Sequence, residues 1–341
     1  MRKSGKSGRL LLRQVVLNHG HSVPGFPLGS MRRWLELLPS SELSRDMDRC
    51  TVVLPRPGDG WYAPPSSGTS AGFPWGELTQ QGADEMMRQG QRCARDWSVD
   101  LSKVLLRAAN RASCISSAQA FALGGRPKQE PVEPLRQEPV EVLLQRGEAL
   151  LPQQSPETAE VRSPELAQEI RQNLGLEGEE EQSELARRLS DEENLLEAVM
   201  SLGLRGEGVV ALQDSVARRW QRLVRGGPGR VIGPLVGEVL GACDARLEGE
   251  EPGLVIYVVE AASLVCLQAA LEATAPVAPW PSWGASLQLE LWEVEGQLSL
   301  SLRPREELDW TCSTARAQIP PSAPLPYLPF RQRWHMEMAN G

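Results

Sequence analysis

Residues 15–24 read VVLNHGHSVP: an apolar run that stops at Asn18-His19-Gly20-His21, with Pro24 closing the turn. The chain has only three histidines, and two of them stand here. Arg9–Leu17, rich in Leu and Val, reads as a buried strand ending at a loop signal. His19 would then sit at the end of a buried strand, as a nucleophile, a metal ligand or the remnant of either.

Working outward, 341 residues suffice for one large α/β domain or a domain carrying an insertion. A charged fraction of 23% and a hydrophobic fraction of 41% are ordinary globular values. The formal net charge of −8 argues against nucleic acid as a partner, since phosphate backbones require a basic surface. No stretch approaches the roughly 20 uninterrupted apolar residues of a membrane span, so no transmembrane segment is expected. The start, MRKSGKSGRLLLRQVVL, is basic, and the first acidic residue is Glu36. It reads as a short charged tail on a cytoplasmic protein, with a mitochondrial presequence as the alternative. Arg13 interrupts the only apolar core that a secretory signal could use. Six cysteines (Cys50, Cys93, Cys114, Cys243, Cys266, Cys312) are dispersed without a C-x-x-C pair, which fits reduced structural thiols better than a zinc module.

Residues 18–76 hold enough Pro, Gly and Ser to read as irregular. Thr79 is placed to cap a helix running through Met86, Met87 and Gly90. Val104–Arg107 reads as a short strand and Ala112–Leu123 as a helix stopped by Gly124 and Gly125. Residues 126–140 contain a Gln-Glu-Pro-Val-Glu near repeat and read as an extended linker, the second copy leading into a strand at 140–144. From Pro164 to Val224 the pattern is helical and acidic, a solvated helix face. Val231–Leu240 and Ala261–Ala275 are helical, and Leu254–Val259 is a β-type run. LQLELWEVEGQLSLSL alternates with period two about Glu295-Gly296, as a hairpin does. Strand–helix alternation around a helical middle implies an α/β core with an inserted helical cap. The expected division is a discontinuous core (9–150 and 231–310), a cap (151–230) and tails (1–8 and 311–341).

Four segments in this order resemble the histidine acid phosphatases, branch 2 of the histidine phosphatase superfamily. VVLNHGHSVP is placed like R-H-G-x-R-x-P, and GELTQQG like G-x-L-T-x-x-G. LLRAANRASCISSAQAF is similar to R-S-T-D-x-x-R-T-x-x-S-A-Q at its first Arg and at Ser-Ala-Gln. VIYVVEAASLVCLQAALEA lies where the family has Y-x-x-H-D-x-x-L. Within the family the closest likeness is to the lysophosphatidic acid phosphatases, from the long loop before GELT, the VIGPLVGEVLGACDARL helix and the LQLELW hairpin. The resemblance implies a three-layer α/β/α core of the phosphoglycerate-mutase-like type, with a cap. It also implies a phosphohistidine mechanism without metal or cofactor: imidazole attack on phosphorus, arginines clamping the phosphoryl oxygens, and a carboxylic acid protonating the leaving group.

On that resemblance, His19 stands at the nucleophile and Arg107 at a phosphate-binding arginine. Asn18, Ser22 and Ser113 stand where the family has arginines, Glu260 where it has a second histidine, and Ala261 where it has the proton-donating aspartate. Each charge-assisted hydrogen bond contributes about 1.5–3 kcal/mol, and a general acid about 10²–10⁴ in rate. An ionised Glu260 pointing inward would add repulsion. Glu260 is a doubtful proton donor, because Val259 displaces it by one residue from the donor position. His21, if protonated, could replace a lost arginine; it could instead ligate a metal with His19 and Glu260, or be a plain loop residue. Arg107 could bind phosphate, or pair with Glu260 and so fill the hole that phosphate left. The expectation is a phosphatase-like pseudoenzyme acting by binding a phosphomonoester, a lysophospholipid or a protein partner. The alternatives are a weak acid phosphatase working through His19, and a diverged chain that never folds stably.

Overall fold

The computed structural model describes residues 8–48, 50, 52–53, 73–98, 104–109, 111–126, 142–144, 164–175, 179–250, 253–271, 280–305 and 325–339. The chain opens with β1 (Gly8–Asn18), followed by α1 (Met31–Leu35), α2 (Ser41–Asp48) and β2 (Val52–Val53). Then come α3 (Gln80–Asp96), β3 (Leu105–Ala108), α4 (Ala112–Gly124) and β4 (Val142–Leu144). Four helices follow in succession: α5 (Pro164–Leu174), α6 (Glu179–Arg188), α7 (Glu192–Ser201) and α8 (Glu207–Gly226). The last third holds α9 (Pro228–Leu247), β5 (Leu254–Val259), α10 (Ala261–Leu271), β6 (Ser286–Val294), β7 (Gln297–Arg305), β8 (Leu325–Pro326) and α11 (Tyr327–Ala339).

The strands form one sheet in the order β2-β4-β3-β5-β1-β6-β7-β8. The first five run parallel, and β6, β7 and β8 add antiparallel to the β1 side. β5, Leu-Val-Ile-Tyr-Val-Val, is buried along its whole length, as a parallel strand covered on both faces must be. Strand alternation sends Gln14, Tyr257 and Arg107 to one face, where they meet Val239, Cys243 and Glu238 of α9. On the other face the Arg13 guanidinium lies 4.2 Å from the ring of Trp97, the C-terminal cap of α3. The fold is therefore a three-layer α/β/α core, with helices α5 to α8 inserted between β4 and β5 as a cap.

Close backbone approach decides how α3 and α4 pack. A Cβ on Gly90 would lie 1.9 Å from the Phe121 carbonyl oxygen, and one on Gly124 would lie 2.0 Å from that of Met87. Glycine alone lets the two helices touch there. The turn between β6 and β7 has positive φ at Glu295 (53°) and Gly296 (77°), the two-residue hairpin turn that matches strand twist.

Two sequence expectations are corrected. Residues 18–76 are not uniformly irregular: α1, α2 and β2 lie within them, and Trp34 of α1 is fully buried. Nor is 311–341 a tail throughout, for β8 pairs with β7 and α11 packs on α9. Tyr327, Phe330 and Trp334 are buried, and Asp244 accepts hydrogen bonds from Tyr327 (2.7 Å) and Arg331 (2.8 Å). The near repeat lies outside the described residues, as does Cys312; Cys50, Cys93, Cys114, Cys243 and Cys266 are buried free thiols.

Candidate active site

The site forms beyond the carboxyl ends of the adjacent strands β3, β5 and β1, where open parallel sheets place ligands. His19 continues β1: its N–H donates to Val259 O (3.0 Å), and its carbonyl accepts from Gly284 N (3.2 Å). The next turn is held by the other quoted segments. Gly20 N donates to Ser117 Oγ (3.0 Å), the serine of Ser-Ala-Gln. Thr79 of GELT donates both N–H and hydroxyl to the His21 carbonyl, each at 3.0 Å, and its Oγ1 accepts from Gly82 N at 3.1 Å. A Cβ on Gly20 would lie 2.6 Å from the Gly82 carbonyl oxygen, so the turn is pressed against the start of α3.

The imidazole of His19 is buried, and its Nδ1 lies 2.8 Å from Gly20 O. A carbonyl can only accept, so Nδ1 carries the proton and Nε2 keeps its lone pair. Burial first, and the neighbouring His21 after it, lower the His19 pKa to about 4, against the Gly20 hydrogen bond that raises it. The ring is thus a neutral base over most of the pH range, with one fixed tautomer. Trp283 packs beside it, the ring centroids being 5.1 Å apart.

His19 lines a cavity of about 270 Å³ together with Ser22, Gly25, Phe26, Gly76, Arg111, Ala112, Ser113, Asn194, Glu197 and Glu260. Arg111 caps α4, and Ala112 and Ser113 are that helix's first residues, so its N-terminus opens into the cavity and favours an anion there. Arg111 Nε pairs with Glu260 Oε1 at 3.2 Å. Burial raises the Glu260 pKa, which Arg111 partly offsets. Glu197 enters from the cap helix α7, and its Oε1 accepts from Gly25 N at 2.7 Å. Burial pushes its pKa up to about 7, opposed by that hydrogen bond and reinforced by Glu260.

Several residues singled out in the sequence lie elsewhere. Arg107 points to the α9 face and pairs with Glu238, away from the His19 cavity. Its place on β3, between buried Leu106 and Ala108, fixes that direction. His21 does not line the His19 cavity either: its Nδ1 meets Thr79 Oγ1 (2.9 Å) and its Nε2 meets Ser201 O (3.1 Å), tying the turn to the end of α7. That also separates it from His19 and Glu260 as a ligand set, and no cluster of three His, Cys, Asp or Glu suited to a metal occurs among the described residues. Asn18 is buried and donates to Ser282 O (2.8 Å). Ser22 and Ser113 line the cavity, whereas Ala261, buried at the start of α10, does not.

Arg111, Glu197 and Trp283 were not anticipated. Arg111 carried a legible signal, as a cation just before a helix that follows a parallel strand. Glu197 carried a weaker one: it is the one charge in Leu195-Leu-Glu-Ala-Val-Met200, a run too apolar to be a solvated face. Trp283 had none.

This architecture is the histidine acid phosphatase fold. The phytase of Citrobacter braakii superposes with a TM-score of 0.54 at 13% identity, over 96% of this chain and 97% of that one. Hafnia alvei phytase in complex with tartrate gives a TM-score of 0.51 at 11% identity, over 97% of each chain. At such identities the likeness establishes the fold. No family model matches the sequence, and no curated protein is significantly similar to it. Among the described residues no helix is long and apolar enough to cross a membrane.

Proposed function

We propose that this chain is a histidine-acid-phosphatase-like protein, quiescent toward phosphate esters near neutral pH and capable of slow, His19-dependent phosphomonoester hydrolysis in acid. The observation that carries this reading is the Arg111–Glu260 pair beside a tautomerically fixed His19. While Glu260 is ionised it holds the cation that a phosphoryl group would need, and it repels the incoming dianion. Acid favours protonation of Glu260, whose pKa burial raises, releasing Arg111 while His19 stays neutral down to about pH 4. The α4 N-terminus and Ser113 then supply further donors to the phosphoryl oxygens.

The sequence alone weighs toward a pseudoenzyme, because it counts the clamp and the acid as lost. Arg111 and Glu197 partly replace them. One cation in place of several still means weak phosphate binding, so turnover should be slow. The substrate class is a phosphomonoester. Lysophosphatidic acid rests on the resemblance alone, and a cavity of about 270 Å³ suits a phosphoryl head with its remaining bulk outside.

A second reading, a pure binding protein for a phosphorylated ligand, is favoured by two carboxyl groups sharing the cavity with a single arginine among the described residues. Assaying p-nitrophenyl phosphate from pH 4 to 8 separates the two. Acid-dependent turnover abolished by His19→Ala supports hydrolysis; phosphate binding without turnover at any pH supports binding alone.

A further inference from the structure

We propose that Glu197 is the proton donor for phosphate-ester cleavage at His19, supplied by the cap helix α7 rather than by a residue following β5. The inference rests on the hydrolytic reading above. Ala261 stands at the donor position and cannot titrate, while Glu260 lies 3.2 Å from Arg111, so that its protonation serves to release that cation. Among the described residues, Glu197 is the other carboxyl group lining the His19 cavity.

Its setting suits the role. Oε1 is fixed by the Gly25 N–H at 2.7 Å, within the turn that follows His19. The side chain is thereby oriented by the same loop that carries the nucleophile, and Oε2 is left to carry the proton. The charged groups acting on it are Glu260 and Glu193, which favour its protonated form, and Arg111, which opposes it; burial outweighs them all. Glu193 is itself drawn to Arg219 of α8 at 2.9 Å. A carboxyl group that stays protonated up to about pH 7 can give its proton to an alkoxide under mildly acidic conditions.

His19 Nε2 forms a bond to phosphorus as the ester P–O bond breaks, and Glu197 transfers its proton to the departing alkoxide oxygen. The Glu197 carboxylate then takes a proton from water as that water attacks phosphorus. The P–N bond breaks, phosphate leaves, and both residues return to their starting states.

The test compares full-length wild type with Glu197→Gln, which keeps an amide oxygen to accept from Gly25, on two esters at pH 5. Phenyl phosphate has a poor leaving group and needs the proton; 2,4-dinitrophenyl phosphate does not. Glu197→Gln should lower kcat/KM for phenyl phosphate by about 100-fold or more, while changing the dinitrophenyl ester by less than about fivefold. Equal losses on both esters, or none, overturn the donor assignment while His19 chemistry stands. Wild type that forms no trappable phosphohistidine and shows no His19-dependent turnover overturns the hydrolytic reading, and the donor with it. If the Gln variant does not fold, wild type alone decides across a series of aryl phosphates. A shallow dependence of kcat/KM on leaving-group pKa supports a donor, and a steep one overturns it.

Discussion

Arg111 Nε and Glu260 Oε1 stand 3.2 Å apart, one just beyond the end of β3 and the other directly after β5, its parallel neighbour. Both side chains are partly exposed, at 46% and 33%, so the pair itself is worth only about 0–1 kcal/mol. A phosphate dianion can therefore compete for Arg111, and removing the competitor should help it. Glu260→Gln should tighten inorganic phosphate binding at pH 7 by about 3–10-fold, whereas Arg111→Ala should weaken it by 10-fold or more. Calorimetric titration reads both, and tighter binding in the alanine variant would count against Arg111 as the anion's partner.

Arg107 offers the contrasting case. It pairs with Glu238 on the far face of β3, partly buried and away from the cavity. Arg107→Ala should leave phosphate binding and His19 reactivity unchanged and lower stability by about 1 kcal/mol or less. Denaturant unfolding beside a phosphate titration tests this; lost phosphate affinity in that variant would return Arg107 to the site.

The contrast shows what the sequence could reveal. A motif match fixes a residue type at a position, but in a strand the side-chain direction alternates at every step. Arg107 therefore matched the pattern and still points to α9, while Arg111, four residues on, reaches the cavity from a helix cap. β1, β5 and the β6–β7 hairpin were legible because their apolar runs or alternation are long. The α3 start was legible because Thr79 is a true cap. α1 and α2 were hidden by neighbouring Pro and Gly, and α11 by the proline-rich stretch before it. Glu197 was concealed by being counted with an acidic run, although its own helix is mostly buried.

The contact between the histidine turn and α3 has no room for a methyl group. A Cβ on Gly82 would fall 2.2 Å from the His21 carbonyl oxygen, a backbone atom that cannot swing aside. Gly82→Ala should cost about 2 kcal/mol or more and displace the turn carrying His19. Unfolding measurements give the first effect. The second appears as lost turnover under conditions where the variant remains folded, and an alanine variant as stable as wild type would refute the packing described.

A buried ion pair on the α3 face makes a separate prediction. Arg13 and Glu290 meet at 2.9 Å, both almost fully buried, and Trp292 Nε1 and Gln288 Nε2 also donate to Glu290, at 3.1 and 2.7 Å. Glu290→Leu strands the guanidinium and should destabilise by about 3–5 kcal/mol. The double variant Arg13→Met, Glu290→Leu should recover part of that loss, because no unpaired charge is then buried, although Trp292 Nε1 and Gln288 Nε2 still lack their acceptor. A double variant as damaged as the single one would show that the pair is not the source of the cost.

The pH dependence follows from two opposed shifts. Turnover needs neutral His19, protonated Glu197 and Glu260 protonated so that Arg111 is released. It should therefore fall below about pH 4 on one limb and, on the other, as Glu260 and Glu197 ionise, being lost by about pH 7. Stability obeys the same groups. The lowered His19 pKa means its contribution is present above the ordinary value of 6.5 and is lost as pH falls toward 4. The raised Glu197 pKa means its contribution is complete below 4.5 and is lost as pH rises through about 7. Replacing that carboxyl group with an amide removes the second dependence. Glu197→Gln should thus gain about 1–3 kcal/mol relative to wild type between pH 4 and pH 8. Urea unfolding of both proteins at the two pH values measures the difference, and a gap that stays constant with pH would show that Glu197 titrates as an ordinary exposed carboxylate.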